Sequence, residues 1–567
     1  MEHIFSENEM PLIRKYRIPA YDDGKEPLRH LTDLINGEAL LDGLRKAVSN
    51  SDEITVYGDY DADGVMSVCI LYSAFNRLLP GKINRFVNNR YEDGYNITVE
   101  SMKKCLSRFP RTKTLITCDN GINAAEAVHY AMEQGVTVLV TDHHVQTVPL
   151  RDDCPAVDEK SIRQTKEDLE NGVTPDECCG AELARRVVEA LYKELGVADE
   201  HKAFLDGLYA YAGLATITDL VPMNPANHTV ARRGLQIIQK AEGFWGFLKE
   251  EYIPDVRKIR GDTIGFYYGP LLNASSRITG EAAHAVEMVL SYESGNEAAC
   301  RKAIQALVRL NTERKNLTAR DDEIADGIIE ADNLSEAPFI LVWSDRFSEG
   351  INGLTASHIT EHYRVPCAVL SPVKNDPEVY KGSARSVEGA NLIELLRKYP
   401  ELIQAGGHAM AAGLSVRKEN LETVRKLLCE DLKGFQAPEG PESDYTYRVA
   451  DLTRQDAEFQ ENLIDAYEPF GPGFEEPRLS FTGKVNNLWK NRKKNTNELV
   501  HAIFPMGYSA DRLFIKANWW NHLREAERWY RPGMELHCSG KVAYDEYTNR
   551  EGKTTRSIQI TIEKILP

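Results

Sequence analysis

The chain has 567 residues, a formal net charge of −18, 42% hydrophobic and 27% charged residues. At about 150 residues per domain the length suggests three or four domains. The ordinary apolar fraction, with 39 Gly and 25 Pro, excludes collagenous, low-complexity and mainly disordered classes. The acidic excess excludes a basic nucleic-acid coat, although a local channel can be basic on an acidic protein.

No apolar run reaches the roughly 18 residues a membrane helix needs, so no membrane partner is expected. The opening MEHIFSENEM has no apolar signal-peptide core. The ten cysteines form no CxxC pair, which argues against a zinc ribbon or redox motif and for a reducing, cytoplasmic setting.

Residues 53–58 (EITVYG) read as a buried strand, followed by an apolar-periodic helix over 65–79. Strands follow at 83–87, 114–118 and 136–141, with a helix over 123–133. Short β-branched runs alternating with helical segments predict a parallel, doubly wound sheet. Residues 160–178 are polar and carry Gly172 and Pro175, the signature of a surface excursion. Helices are predicted over 181–195 and 203–217, and 281–331 is almost wholly helical with a turn near 292–296. The second half of that stretch is too long for an ordinary domain helix and reads as a spacer between lobes. A second α/β unit has strands at 339–343 and 367–370 around a helix over 353–363. QAPEGPESD at 436–444 is a linker, and the short strands of 478–567 have the pattern of a small closed β-barrel.

The chemistry lies at the strand ends. The first strand runs into Asp59-Tyr60-Asp61-Ala62-Asp63-Gly64, the third into Asp119-Asn120-Gly121, and the fourth into Asp142-His143-His144. In a parallel doubly wound sheet the C-terminal strand ends share the edge where ligands bind. At least four carboxylates and two imidazoles therefore converge, with Asp219, after the apolar helix, a further candidate. Like charges cannot sit together uncompensated, so cations are expected among them. Carboxylates with one or two imidazoles and no thiolate suit Mn2+ or Mg2+. A shared Asp bridging two ions is the recurring arrangement for phosphate-ester hydrolysis. Asp59-x-Asp61-x-Asp63-Gly64 also copies the start of a calcium loop, but its twelfth position is Ile70 rather than Glu. Successive extended residues point opposite ways, so His143 and His144 divide into one ligand and one substrate-facing group.

These residues, in this order, resemble the DHH phosphoesterase superfamily, and within it the bacterial single-strand-specific 5′→3′ DNA exonucleases. The resemblance covers nearly the whole chain. GDYDADG (58–64), TCDNGI (117–122), DHH (142–144) and Asp219 in LATITDLVP fill its four motifs. It implies that Asp61, Asp63, Asp119, His143 and Asp219 are metal ligands with Asp119 bridging two ions, either Mn2+ or Mg2+. It makes Asp59 and Asp142 supporting acids and turns His144 toward the scissile phosphate. Asn89-Arg90 with Asp93-Gly94-Tyr95, PLLNASSR (270–277), GSARS (382–386), GGHAMAAG (406–413) and GPGFEEP (471–477) extend the match. By implication Arg90, Arg277, Ser383 and Arg385 bind phosphates, some near the 5′ end, with Asn273 and His408 completing the substrate set. Three positions depart from the pattern: Asp158-Glu159-Lys160 replaces Asn-Pro, Glu182 replaces a small residue, and Leu272 replaces Arg.

The implied architecture is an α/β parallel-sheet DHH domain (46–225), a helical connector with a long spacer helix (226–335), a second α/β DHHA1 domain (336–435) and a C-terminal OB-like barrel (445–567), after an N-terminal segment (1–45). Trp489, Lys490, Arg492, Lys493 and Lys494, with Phe514, Trp519 and Trp520, could stack bases and track a strand, or form core and a solvated hairpin tip. The implied activity is two-metal hydrolysis of single-stranded DNA to 5′-mononucleotides in repair and recombination, with a single-strand-binding protein and a helicase as candidate partners. The rival readings are an oligonucleotidase or phosphatase of the same superfamily acting on small substrates, and an inactive scaffold that kept the fold.

Overall fold

The structure, a computed structural model, describes residues 29–94, 96–158, 177–374, 376–438, 443–492, 499–520, 522–548 and 554–566. Leu28–Val221 with Ala226–Pro438 form one compact unit, and Pro222–Pro225 with Glu439–Pro567 belong to another.

The first unit opens with helix α1 (Gly37–Ser49) and then alternates β1 (Ile54–Gly58), α2 (Ala62–Leu78), β2 (Ile83–Val87), α3 (Val99–Arg108), β3 (Thr114–Cys118), α4 (Ala125–Glu133), β4 (Thr137–Asp142) and β5 (Ala156–Asp158). The five strands form one sheet in the order β2-β1-β3-β4-β5, and every pairing is parallel. β1 and β3 are buried at every position, as expected of strands covered on both faces. The β2 and β3 bounds are those read from the sequence. α2 starts three residues earlier than its apolar period indicates. The Asp61 carboxylate accepts the backbone N–H groups of Asp63 and Gly64 at 3.0 and 3.1 Å, and this cap draws Ala-Asp-Gly into the first turn. Most of the excursion predicted at 160–178 lies outside the described residues.

Helices α5 (Gly180–Glu194) and α6 (Lys202–Thr218) pack on α2. α7 (Pro225–Gln239) and α8 (Gly243–Tyr252) follow. A π turn over Ile264–Tyr268 then leads into α9 (Gly269–Thr279), α10 (Ala283–Glu293) and α11 (Glu297–Ala331). α11 has 35 residues, about 52 Å at 1.5 Å per residue, and the Asn296 side chain caps its start. It is more than a spacer, because Ala325 and Ile329 at its far end enter the core beneath the second sheet with Ile340, Val342, Ala356 and Val369. That sheet contains β6 (Ile340–Trp343), β7 (Cys367–Val373), β8 (Asp376–Arg385), β9 (Ile403–Gly407) and β10 (Ala411–Arg417), with α12 (Asn352–Tyr363) between β6 and β7. Its order is β6-β7-β8-β10-β9, with only β6 and β7 parallel.

In the second unit, β11 (Tyr445–Arg448), β12 (Leu479–Val485), β13 (Trp489–Arg492), β14 (Leu499–Tyr508), β15 (Phe514–Trp519), β16 (Met534–Thr548) and β17 (Thr554–Ile565) make one seven-stranded sheet in the order β11-β12-β16-β17-β15-β14-β13. Among the described residues β11 and β13 stand at the two ends of this order. The sheet wraps one core that takes Phe481 from β12, Phe504 from β14 and Ile560 from β17, as in barrel-like folds. Among the described residues, no helix is long and apolar enough to cross a membrane.

Candidate metal centre

The parallel sheet delivers its acids to one edge. Asp59, Asp61 and Asp63 follow β1, Asp119 follows β3, and Asp142 ends β4 ahead of His143 and His144. Asp219 caps the C-terminus of α6. His143 Nε2 lies 3.0 Å from Asp119 Oδ1, 3.7 Å from Asp63 Oδ2 and 3.9 Å from Asp219 Oδ2. Three sets of donor atoms each fall within 4.8 Å: Asp119, His143 and His144; Asp63, His143 and Asp219; and Asp59, Asp61 and Asp119. Asp119 and His143 each belong to two of these sets.

The acids are poorly solvated. Burial first, and then the charge of Asp61, pushes the Asp63 carboxyl up to about 6. Burial with Asp61 also raises Asp59, and burial with Asp63 and Asp61 raises Asp119. Such a group needs either protons or cations to stay folded at neutral pH. Asp119 adopts a left-handed backbone with φ 58°, a conformation Asp tolerates better than most residues and one that persists where the surroundings enforce it.

Asp142 is differently placed. Its carboxylate accepts the backbone N–H groups of Ile122 at 2.9 Å, His143 at 2.7 Å and His144 at 3.1 Å, and it holds His144 Nδ1 at 2.7 Å. Burial pushes this carboxyl up, but the His144 hydrogen bond, both imidazoles and the Ile122 N–H together hold it below the usual range. For His144, burial opposes the charged form, yet Asp142 with Asp61 and Asp63 outweighs it and raises the imidazole. Asp142 thus spends one oxygen on the His144 imidazole and on two backbone N–H groups.

The sequence reading missed the N-terminus of α5 as part of the site. Gly180 and Ala181 donate backbone N–H bonds to Asp63 at 2.7 and 2.8 Å, where a helix N-terminus favours an anion. A β-carbon on Gly180 would lie 2.7 Å from the Asp119 β-carbon. One position thus serves two acids, and the small residues of Cys178-Cys179-Gly180-Ala181 were the available signal. Glu182 departs from the expected small residue but is matched locally. It is fully buried and binds Arg185 at 2.7 and 2.9 Å and Arg186 at 2.9 Å.

Beside the acids lies a cationic cluster. Burial, and then Arg90, Arg314 and Arg385, pull the Arg277 guanidinium down to about 9, which leaves it charged at neutral pH. Arg90 lies close enough to lower Asp59, and Asp61 close enough to raise Arg277. Arg90 stands over the Tyr60 ring at 5.3 Å. The Tyr91 hydroxyl donates to the Arg277 carbonyl, and Arg277 Nη1 donates to the Gly350 carbonyl at 3.4 Å. On β8, Ser383 and Arg385 face the first turn of α12. A β-carbon on Gly353 would lie 3.3 Å from Ser383 Oγ and 3.1 Å from Arg385 Nη2. Arg314, on α11, joins this cluster without a motif to mark it. Asn273 spends its Oδ1 on the Ala62 backbone N–H at 2.8 Å, so it orients the Asp61–Asp63 loop. Leu272, in place of Arg, is buried core.

Residues 53–213 match the DHH family, N-terminal domain, and residues 337–434 match the DHHA1 domain. The chain thus carries a DHH domain and a DHHA1 domain. Its DHH domain contributes every acid of the centre except Asp219, which lies just beyond the matched stretch, and its DHHA1 domain contributes Ser383 and Arg385. The single-stranded-DNA-specific exonuclease RecJ of Haemophilus influenzae is 28% identical over 606 residues, spanning 99% of this chain and 96% of that protein. RecJ of Escherichia coli is 28% identical over 571 residues, spanning 93% and 91%. The crystal structure of RecJ from Thermus thermophilus in complex with Mn2+ has the same fold, with a TM-score of 0.72 at 22% identity over 96% of this chain and 73% of that one.

The remaining expected residues are spread over other elements. His408 is exposed on the DHHA1 hairpin between β9 and β10, its N–H bonded to the Ala411 carbonyl at 2.8 Å. In the C-terminal sheet Trp519 is core, whereas Trp489 is 47% exposed and stacks on Phe514 at 5.8 Å. Lys490 pairs with Glu527, Arg492 is exposed on β13, and Lys493 and Lys494 lie outside the described residues.

Proposed function

We propose that this chain is a metal-dependent 5′→3′ exonuclease of single-stranded DNA that releases 5′-mononucleotides. The observation that carries this reading is the adjacency of two opposite clusters in one unit. Acids that need cations lie beside four guanidiniums, Arg90, Arg277, Arg314 and Arg385, that call for an anion.

Asp61, Asp63, Asp119, His143 and Asp219 would hold Mn2+ or Mg2+, with Asp119 shared between two ions and Asp59 close behind Asp61. Divalent ions there acidify a water and neutralise charge on the phosphoryl oxygens. The chain's own groups do the rest. Asp142 favours the charged form of His144, and the imidazolium would donate to a phosphoryl oxygen as charge develops. Arg90, Arg277, Ser383 and Arg385 grip the terminal phosphate, as planar guanidiniums and an exposed hydroxyl can. A site that grips the 5′ phosphate beside the metals cuts one nucleotide at a time from that end. Asn273 fixes the ligand loop, and Trp489 stacked on Phe514 adds a base-stacking surface for longer strands.

The same superfamily chemistry on small substrates is the competing reading, and the exposed aromatics of the C-terminal unit favour a strand over it. Turnover of a long single strand, its duplex and a dinucleotide by one preparation in Mn2+, Mg2+ and EDTA tests the proposal. A preference for the single strand that vanishes in EDTA supports it, and equal or better turnover of the dinucleotide defeats it. In a cytoplasmic repair setting, a helicase and a single-strand-binding protein would supply and present the strand.

A further inference from the structure

The most exposed large apolar side chain of the described residues is Phe266, at 76%, and its neighbour Tyr267 is 42% exposed. Both lie in the π turn Ile264–Tyr268, which runs directly into α9. π turns interrupt regular helices at a cost and recur at functional sites. Within α9, Pro270, Asn273 and Arg277 recur at intervals of three and four, the spacing of a single face, and Phe266 stands in the π turn that precedes it. That face has a known direction, because Asn273 Oδ1 accepts the Ala62 N–H beside Asp61, and Arg277 belongs to the guanidinium cluster.

One turn beyond Phe266, Gly269 lies against the end of α6. A β-carbon on Gly269 would come within 2.6 Å of Thr218 Cγ2, next to the candidate ligand Asp219. The π turn also has its own link to the cations. Tyr267 meets the Tyr252 ring edge-on at 6.5 Å. The Tyr252 hydroxyl receives Asn311 Nδ2 at 3.1 Å, and Asn311 Oδ1 accepts from Arg314 Nε at 2.9 Å. Arg314 is a member of the same cluster as Arg277.

From these placements we infer that Phe266, flanked by Tyr267, is a stacking platform for a nucleobase of the single strand. Arg277 stands at one end of the α9 face, Asn273 and the ligand loop at the middle, and Phe266 in the π turn that leads into the other end. Phe266 and Arg277 are about 16 Å apart at the helical rise per residue. With the terminal phosphate held at Arg277, Phe266 meets a base on the uncut, 3′ side of the scissile bond. An aromatic face stacks any base, so the platform gives grip and register without sequence preference. It holds the strand after each nucleotide leaves, the property a stepwise exonuclease needs.

The inference rests on the function proposed above, and the experiment separates the two. Equilibrium binding of a single strand in EDTA would be measured for the full chain and for Phe266→Ala and Phe266→Trp. Each would also be tested on strands carrying one abasic site moved stepwise from the 5′ end. Phe266→Ala should bind about tenfold more weakly, and Phe266→Trp should restore binding. One abasic position should cost the native chain about the same factor and cost Phe266→Ala nothing. Melting temperature and Mn2+ binding should not change, which shows that the fold and the centre are intact. Unchanged affinity of Phe266→Ala, or an abasic penalty that persists equally in it, overturns the platform. A native chain that shows the coupled loss but hydrolyses no strand with Mn2+ overturns the exonuclease reading and leaves the platform standing.

Discussion

The Asp142 carboxylate and the His144 imidazole are joined at 2.7 Å, and the same Asp142 oxygen also accepts the His143 and His144 backbone N–H groups. This contact separates the acid of the DHH motif from the other acids of the centre. His143 Nε2 reaches Asp119 at 3.0 Å and Asp63 at 3.7 Å, whereas Asp142 is bonded to His144 and to the backbone N–H groups of Ile122, His143 and His144.

Asp142→Asn should therefore keep the ions and lose the orientation and charge of His144. The expected result is a fall in kcat of about a hundredfold or more with little change in KM. The alkaline limb of the pH profile should move to lower pH, because the His144 pKa is no longer held up. Unchanged kcat, or loss of bound metal, would show that Asp142 acts otherwise.

Gly180→Ala tests the close approach of α5 to the ligands. The new methyl must displace Asp119, so Mn2+ affinity should fall about 10- to 100-fold, the usual range for groups that orient ligands. Titration calorimetry on the variant and native chain checks this, with circular dichroism to show that the fold survives. Native-like affinity would mean that α5 yields without moving the acid.

The Asp63 carboxyl, raised to about 6, sets a pH dependence whose sign is fixed. A group that binds its proton more tightly folded than unfolded contributes stability at low pH, and that contribution is lost as pH rises through its folded value. The metal-free protein should thus lose part of its stability between about pH 4 and 6. Added Mn2+ must displace the proton, so its stabilisation should grow over the same range. Melting temperature with and without Mn2+ across that window measures it, and a gain that shrinks as pH rises would contradict the assignment.

Arg385→Ala should weaken single-strand binding by roughly 1.5–3 kcal/mol, the range for a lost charge-assisted bond, and leave metal content unchanged. Affinity at fixed salt, with metal analysis of the same sample, decides it. Unchanged affinity would return Arg385 to a structural role beside Ala384, whose carbonyl its Nη1 already reaches at 2.9 Å.

The central acids were legible because strand ends in a parallel sheet share an edge, so strand order in the sequence becomes proximity in space. Arg314 was not legible. It sits mid-way along a 35-residue helix whose polar face looks like any solvated helix, and only tertiary packing brings it to Arg277. Gly180 and Ala181 escaped for a related reason: backbone donors carry no side-chain signature. Asn273 was legible as a site residue, but its bond to Ala62 was not, since it spans 211 residues. The strand order of the C-terminal sheet was hidden because alternation along a strand reports which face is buried, not which strand lies beside it.

The most direct measurement follows a strand labelled separately at its 5′ and 3′ ends, with the native chain and Asp119→Ala, in Mn2+ and in EDTA. The native chain in Mn2+ should release the 5′ label first, as a mononucleotide, and EDTA or Asp119→Ala should abolish the release. Release of the 3′ label first, or hydrolysis by Asp119→Ala at more than about a tenth of the native rate, about 1.4 kcal/mol in the barrier, would contradict the account.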